Sequence, residues 1–239
     1  MLRFAEKQLM QLTSMMAEIA NQNEEVTRLL QLPGFPGTAR QGRCGVVTAV
    51  TVWGAIGDVQ GFADPQHLVG YAGLGTQVHD SGMSLRTGRI TKAGRRDLRV
   101  VLSEAAQVAA NSHPHWKAEL ARLQPRLGRH KAIVATPVLA CGPSAARKLL
   151  VAVWYILAQH KTDRFAEPDR VAQKFLKFAY QLGKENRPGQ SAAQFVRQRL
   201  EVLQLGGELT TIAWGSKKPI PLPPSTNKVS DVPNGALAP

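Results

Sequence analysis

Apolar residues recur at helical spacing through most of the chain, and strict period-two alternation is found nowhere. Residues 2–30 carry a heptad with Leu2, Leu9, Met16, Asn23 and Leu30 at a, and Ala5, Leu12, Ile19 and Val26 at d. Apolar a and d positions with a single Asn predict a short coiled coil in which Asn23 fixes register. The alternative is an amphipathic helix packed on its own domain. The heptad is already under way at Leu2, as expected of a chain that begins inside a helix. Pro33-Gly34 ends that helix. Gly45–Ile56 reads as a short apolar helix, and Asp64-Pro65 opens another with Leu68, Val69 and Tyr71 inward.

Residues 72–91 are rich in Gly, Ser and Thr and read as a long functional loop. A helix follows from Thr91 as N-cap, with Leu98, Val101, Leu102, Ala105, Val108 and Ala109 on its apolar face. His113-Pro114 stops it, and His115–Leu127 forms the next helix. Ala145–Gln159 is apolar nearly all round and is expected to be central. Two helices, within 165–182 and 191–205, come after it. Residues 217–239 hold six Pro and no periodicity, which predicts a disordered tail. The fold class expected is all-α. Its parts are a coiled-coil helix (1–32), a helix-hairpin-helix-like helical domain (33–160), a C-terminal helical extension (161–216) and the tail.

Composition narrows the function. The chain has 239 residues and a formal net charge of +13, of which +8 falls within residues 81–131. A solvated surface would mix both signs, so this concentration points to a phosphate backbone. The longest uncharged apolar run in the central helix, Leu149–Leu157, is nine residues, too short to span a bilayer. No signal-peptide pattern precedes it. Two Cys exclude a disulfide scaffold and a Cys-based zinc module, and a cytoplasmic protein is expected.

Three constellations bear on chemistry. The first is His79-Asp80-Ser81-Gly82 followed by Arg86, Arg89, Lys92, Arg95, Arg96 and Arg99. A serine hydroxyl needs help to attack, and clustered guanidinium groups can clamp a phosphate and stabilise the charge that develops. In most turns a Ser is only a turn residue. The second is the pair Gly34 and Gly45, flanking a hairpin whose backbone N–H groups could grip a phosphate. The third is negative. His113 and His115 have no Cys or acidic neighbour to complete a metal site, and no Asp-x-Asp pair offers a two-metal nuclease centre. Aromatic residues are only 6%, which argues against a stacking platform for single strands.

The ordered series GDxxxF (57–62), GYAGL (70–74), SG (81–82), GRITKxGRRDLR (88–99) and ARKLLV (146–151) resembles the C-terminal transposase domain of the insertion-sequence one-ten family. The similarity covers roughly residues 30–160. It implies a DNA-mobilising recombinase with Ser81 as nucleophile, forming a phosphoserine link to the cleaved strand. The basic stretch 86–99 fits the family's DNA- or RNA-facing helix. The residues themselves lead us to expect DNA phosphate contacts from Arg86, Arg89, Lys92, Arg95, Arg96 and Arg99, with Gly34 and Gly45 flanking the hairpin, and a bacterial or archaeal, nucleoid-associated protein is expected. The resemblance also implies a homo-oligomer through residues 2–30 and, in some members, a structured guide RNA. The family's RuvC-like domain, whose acidic residues bind Mg²⁺, has no counterpart in this sequence. No cofactor is therefore expected in the chain itself. Two stretches, Pro36–Cys44 and Thr136–Ser144, interrupt segments that run continuously in the family. The second should split one helix in two, with Ser144 capping the second. The competing reading is a catalytically inactive nucleic-acid-binding remnant, which would bind DNA in a salt-sensitive way and form no covalent adduct.

Overall fold

The computed structural model describes residues 2–35, 45–81, 84–134, 144–215 and 217–225. The chain divides into two compact units, Met1–Ala166 and Glu167–Pro239. In the first, α1 (Leu2–Gln22) and α2 (Glu24–Leu29) lead to α3 (Gly45–Ile56) and α4 (Pro65–Tyr71). A hairpin of β1 (Thr76–Ser81) and β2 (Ser84–Ile90) follows, then α5 (Arg96–Ser112), α6 (Pro114–Leu127), α7 (Arg129–Val134) and α8 (Ala145–Gln159). The second unit holds α9 (Pro168–Leu182), α10 (Ala192–Val202) and a hairpin of β3 (Thr211–Trp214) and β4 (Lys217–Pro221).

The described residues are mostly helical, as expected, and α8 is the axis of the first unit. Ala145, Ala146, Leu149, Leu150, Val153, Trp154, Ile156 and Leu157 are all buried. They pack against α2, α4, α5, α6 and α7. The one polar tip in that series is satisfied, because Trp154 Nε1 donates to the Phe62 carbonyl at 3.1 Å. Ser144 caps the helix, its hydroxyl accepting from the Arg147 N–H at 3.4 Å. Asp58 and Asp64 are caps as well. Asp64 accepts from the N–H groups of Gln66 and His67 and starts α4 directly before Pro65, where a missing N–H costs nothing. These backbone bonds hold the Asp64 carboxyl below its ordinary pKa.

Four expectations need correction. The heptad is not one helix: Asn23 is extended (φ −109°, ψ 116°), and its Nδ2 donates back to the Ile19 carbonyl at 2.8 Å. An Asn side chain that competes for backbone in this way ends a helix rather than sitting in a seam. Val26, Leu29 and Leu30 are buried in their own unit, while Phe4, Leu9, Leu12 and Met15 are exposed. Second, residues 76–90 form a hairpin, not a loop. No alternation announced it, since an isolated two-stranded ladder needs no buried face. Third, the helix expected from Thr91 begins at Arg96, for reasons that belong to the site. Fourth, the tail does not begin at 217, because β4 pairs with β3 and Leu222 is buried. Residues 226–239 lie outside the described residues, as do 36–44 and 136–143, with both Cys.

The second unit has an unusual centre. Arg197 is buried, and its guanidinium donates to three carbonyl oxygens, of Pro223 (2.7 Å), Gly206 (2.9 Å) and Leu209. Hydrogen bonds on every face of the fork offset the cost of removing the charge from water. They also tie the end of α10 to the chain beyond β4. Ser191 opens α10 with a reciprocal capping box to Gln194.

Gly34 is also explained by packing. A Cβ there would lie 2.6 Å from the Ala105 carbonyl oxygen and 3.1 Å from Leu149, so the turn after α2 rests directly on α5 and α8. Replacing Gly34 by Ala should therefore cost about 1–3 kcal/mol of stability, the ordinary penalty for overpacking. A chemical denaturation midpoint unchanged in Gly34→Ala would refute this contact.

Candidate active site

Two sequence segments, 71–75 and 91–95, run side by side and close the base of the β1–β2 hairpin. The Thr91 N–H donates to the Gly75 carbonyl at 2.9 Å, Lys92 to Gly73 at 3.2 Å, and Arg95 to Tyr71 at 3.0 Å. The approach is close enough to require glycine at two points. At Gly94 (φ 152°) a Cβ would fall 2.3 Å from the Tyr71 oxygen and 2.7 Å from the Gly73 nitrogen. At Gly73 (φ 67°) it would meet the Arg99 guanidinium at 2.6 Å. Residues 91–95 are thus committed to backbone pairing, and α5 can begin only after Arg95. Arg95 takes the N-cap position without a side-chain cap.

Side chains reinforce this clamp. Arg99 Nη1 donates to the Ala72 carbonyl at 3.0 Å. Arg95 Nη1 donates to the Tyr71 hydroxyl at 3.2 Å, and that hydroxyl donates to the Ala55 carbonyl at 3.2 Å. The other edge of the Arg95 fork is bidentate on Asp97, at 3.0 and 2.6 Å. The Arg95 hydrogen bonds, with the Leu98 N–H, hold the Asp97 carboxyl down to about 2. The pair is therefore complete above the ordinary carboxylate pKa and is lost as pH falls from there through about 2. The same contacts push the Arg95 pKa still higher. Arg96 and Lys92, in contrast, are exposed and have no partner for their charged ends among the described residues.

The clamp fixes where the hairpin starts, and register fixes where each residue stands on it. Thr76 pairs with Ile90, Val78 with Thr87, His79 with Arg86, Asp80 with Leu85 and Ser81 with Ser84. Ser81 is therefore the last residue of β1, at the end of the ladder remote from the clamp. Gly82 lies outside the described residues. Five residues of strand separate Ser81 from Thr76, about 17 Å at the usual rise. Arg86 stands two rungs from the Ser81 end, and Arg89 one residue from the clamped end.

The expected basic set is thus distributed, not gathered around Ser81. Arg95 and Arg99 are structural ligands of the clamp, and Lys92 and Arg96 face solvent beside it. Gly34 and Gly45 are both buried, and the hairpin expected between them, residues 36–44, lies outside the described residues. His113 and His115 pack on Phe165, His115 stacked at 3.7 Å between ring centroids. Among the described residues no group of three His, Cys, Asp or Glu side chains could hold a metal ion, and no step below runs through one. Also among the described residues, no helix is long and apolar enough to cross a membrane. Sequence reasoning missed Tyr71, Gly73 and Gly94. Their signal was the recurrence of Gly at 70, 73, 75 and 94, which marks close backbone approach.

Gly94→Ala should open the clamp. The clash with two backbone atoms and the strained φ together predict a loss of about 2–4 kcal/mol. Hydrogen exchange should then rise selectively at the amides of Thr91, Lys92 and Arg95. Unchanged protection there would mean that the close approach is not needed.

No curated protein matches the chain. Residues 41–121, which run from just before α3 through the clamp and hairpin into α6, match the family model described as Transposase IS116/IS110/IS902 family.

Proposed function

We propose that this chain acts in DNA transposition, with Ser81 as the nucleophile and the hairpin base as the phosphate-binding end. The observation that carries the reading is the coincidence of the matched transposase segment with a clamp that holds Ser81, paired with Ser84, at the end of a braced hairpin. In the step envisaged, the Ser81 oxygen forms a bond to a DNA phosphorus as the bond to one strand oxygen breaks. The serine proton leaves to water, and the departing strand ends as a hydroxyl. A phosphoserine link keeps the phosphate energy for later strand joining.

The separation of serine and cations suits a nucleic-acid track. About 17 Å along the hairpin matches roughly five steps of a duplex strand. A strand that reaches Ser81 can therefore meet Arg86 near the serine and Arg89, Lys92 and Arg96 at the clamp. Arg95 and Arg99 serve by holding that end in place. A structured RNA, with the same backbone chemistry, is the further partner this reading carries, and a nucleoid location follows from DNA binding.

Two measurements test the reading. Incubating the protein with nicked or intact terminal DNA of its element should yield a covalent DNA–protein adduct that vanishes in Ser81→Ala. An adduct that persists in that variant would remove Ser81 from the role. Arg96→Glu should weaken duplex binding and lower the slope of log K against log salt by about one, as expected for loss of one phosphate contact.

A homo-oligomer belongs to the same reading. The first four turns of α1 expose Phe4, Leu9, Met10, Leu12 and Met15, each more than half exposed. Leu9 and Leu12 are the a and d positions of one heptad, a seam suited to a second copy. Sedimentation should report an oligomer for the parent chain and a monomer for Leu9→Asp with Leu12→Asp. Identical sedimentation of the two would place the interface elsewhere.

A further inference from the structure

The second unit lies beyond the matched transposase segment, and it gathers what the sequence kept apart. Tyr180 near the end of α9 and Trp214 at the end of β3 are separated by more than thirty positions along the chain. In the fold their ring centroids are 5.6 Å apart, tilted by 51°. Tyr180 is 55% exposed, although Phe175, Leu176, Phe178, Ala179 and Leu182 around it are buried. A large ring left outside a well-filled core, beside a second ring, is a surface and not a packing remainder.

Lysines lie close to both rings along the chain. Lys177 precedes Tyr180 by one helical turn on the same face, and Lys184 follows just past the end of the helix. Lys218 comes directly after Lys217, the residue that pairs with Trp214. None of Lys177, Lys184 and Lys218 is paired with a carboxylate among the described residues. From 167 to 225 the unit carries nine basic and five acidic residues. An exposed Tyr180 ring beside a half-buried Trp214, on a unit with an excess of lysines, has the recognition chemistry of an unpaired nucleotide: the ring face stacks on the base and ammonium groups meet the phosphates. A duplex offers its phosphates but not its base faces, so the rings gain nothing from it.

We infer that Tyr180 and Trp214 form a base-stacking platform for a single-stranded stretch of nucleic acid, separate from the Ser81 hairpin. The platform is built by tertiary structure alone. Arg197 holds the chain beyond α10 in place, and β3 packs on α9, so the Trp214 ring is delivered beside Tyr180.

The test uses the full chain, a fluorescein-labelled oligouridine and a labelled DNA duplex, with anisotropy as readout. Tyr180→Ala should weaken oligouridine binding about tenfold, Tyr180→Phe should leave it within twofold, and duplex binding should not change in either. Lys177→Glu should also weaken the single strand. Tyr180 is exposed, so these variants leave the core intact. No measurable oligouridine binding by the parent chain overturns the proposal. So does equal loss in the Phe and Ala variants, or equal loss for strand and duplex, which would mark a nonspecific charged surface. The result is independent of the Ser81 reading, because Arg96→Glu lowers duplex binding and leaves oligouridine binding unchanged if both sites exist as described.

Discussion

The pairing of residues 71–75 with 91–95 is the constraint on which the rest of the first unit's functional end depends. Three backbone hydrogen bonds close it, and each contributes on the order of 1 kcal/mol net. Their larger effect is geometric. They set the first rung of the hairpin, so register carries Ser81 to the far end. They also consume the residues that would otherwise start a helix at Thr91, and so determine the first turn of α5. The glycines at 73 and 94 follow from the approach distance, because any Cβ would strike backbone or the Arg99 guanidinium.

The same constraint divides the basic residues into two kinds. A net +8 over residues 81–131 suggests a uniform electrostatic footprint. The structure spends part of that charge internally. Arg99 holds a carbonyl of the clamp, and Arg95 is shared between Tyr71 and Asp97. A guanidinium bonded in this way is rigid and partly neutralised. It offers less to a phosphate than Arg96 or Lys92, which have no such partners among the described residues. Charge alone thus overstates the number of phosphate ligands.

The second unit solves a different problem with a related device. Two helices and a hairpin bury an apolar core that includes Phe175, Phe178, Phe195 and Leu200, and Arg197 fastens the irregular segments beside it. Its fork gathers three carbonyls from segments that have no regular structure to satisfy them. In both units an arginine therefore acts as a backbone fastener beside a hairpin.

Much of the helical frame was written locally. The apolar face of α5, the nearly all-round apolar face of α8, and the helix starts at Asp64 and Ser144 each depend on residues within one or two turns and formed as the sequence placed them, although α5 starts at Arg96 and not at Thr91. The ordered motifs from Gly57 to Val151 were likewise readable as a transposase resemblance, and residues 41–121 match that family. What the sequence could not determine was whatever rests on contact between distant segments. Asn23 breaks a heptad that reads as continuous. Gly34 is required by packing, because Ala105 and Leu149 press on it. The hairpin had no apolar alternation to betray it, since its register comes from the clamp at its base. Tyr180 and Trp214, two of a small number of aromatics, become a pair only when β3 packs on α9. Periodicity and capping are short-range and survive in the sequence. Close backbone approach, ring pairing and the sharing of a guanidinium between segments are long-range, and only the folded chain decides them.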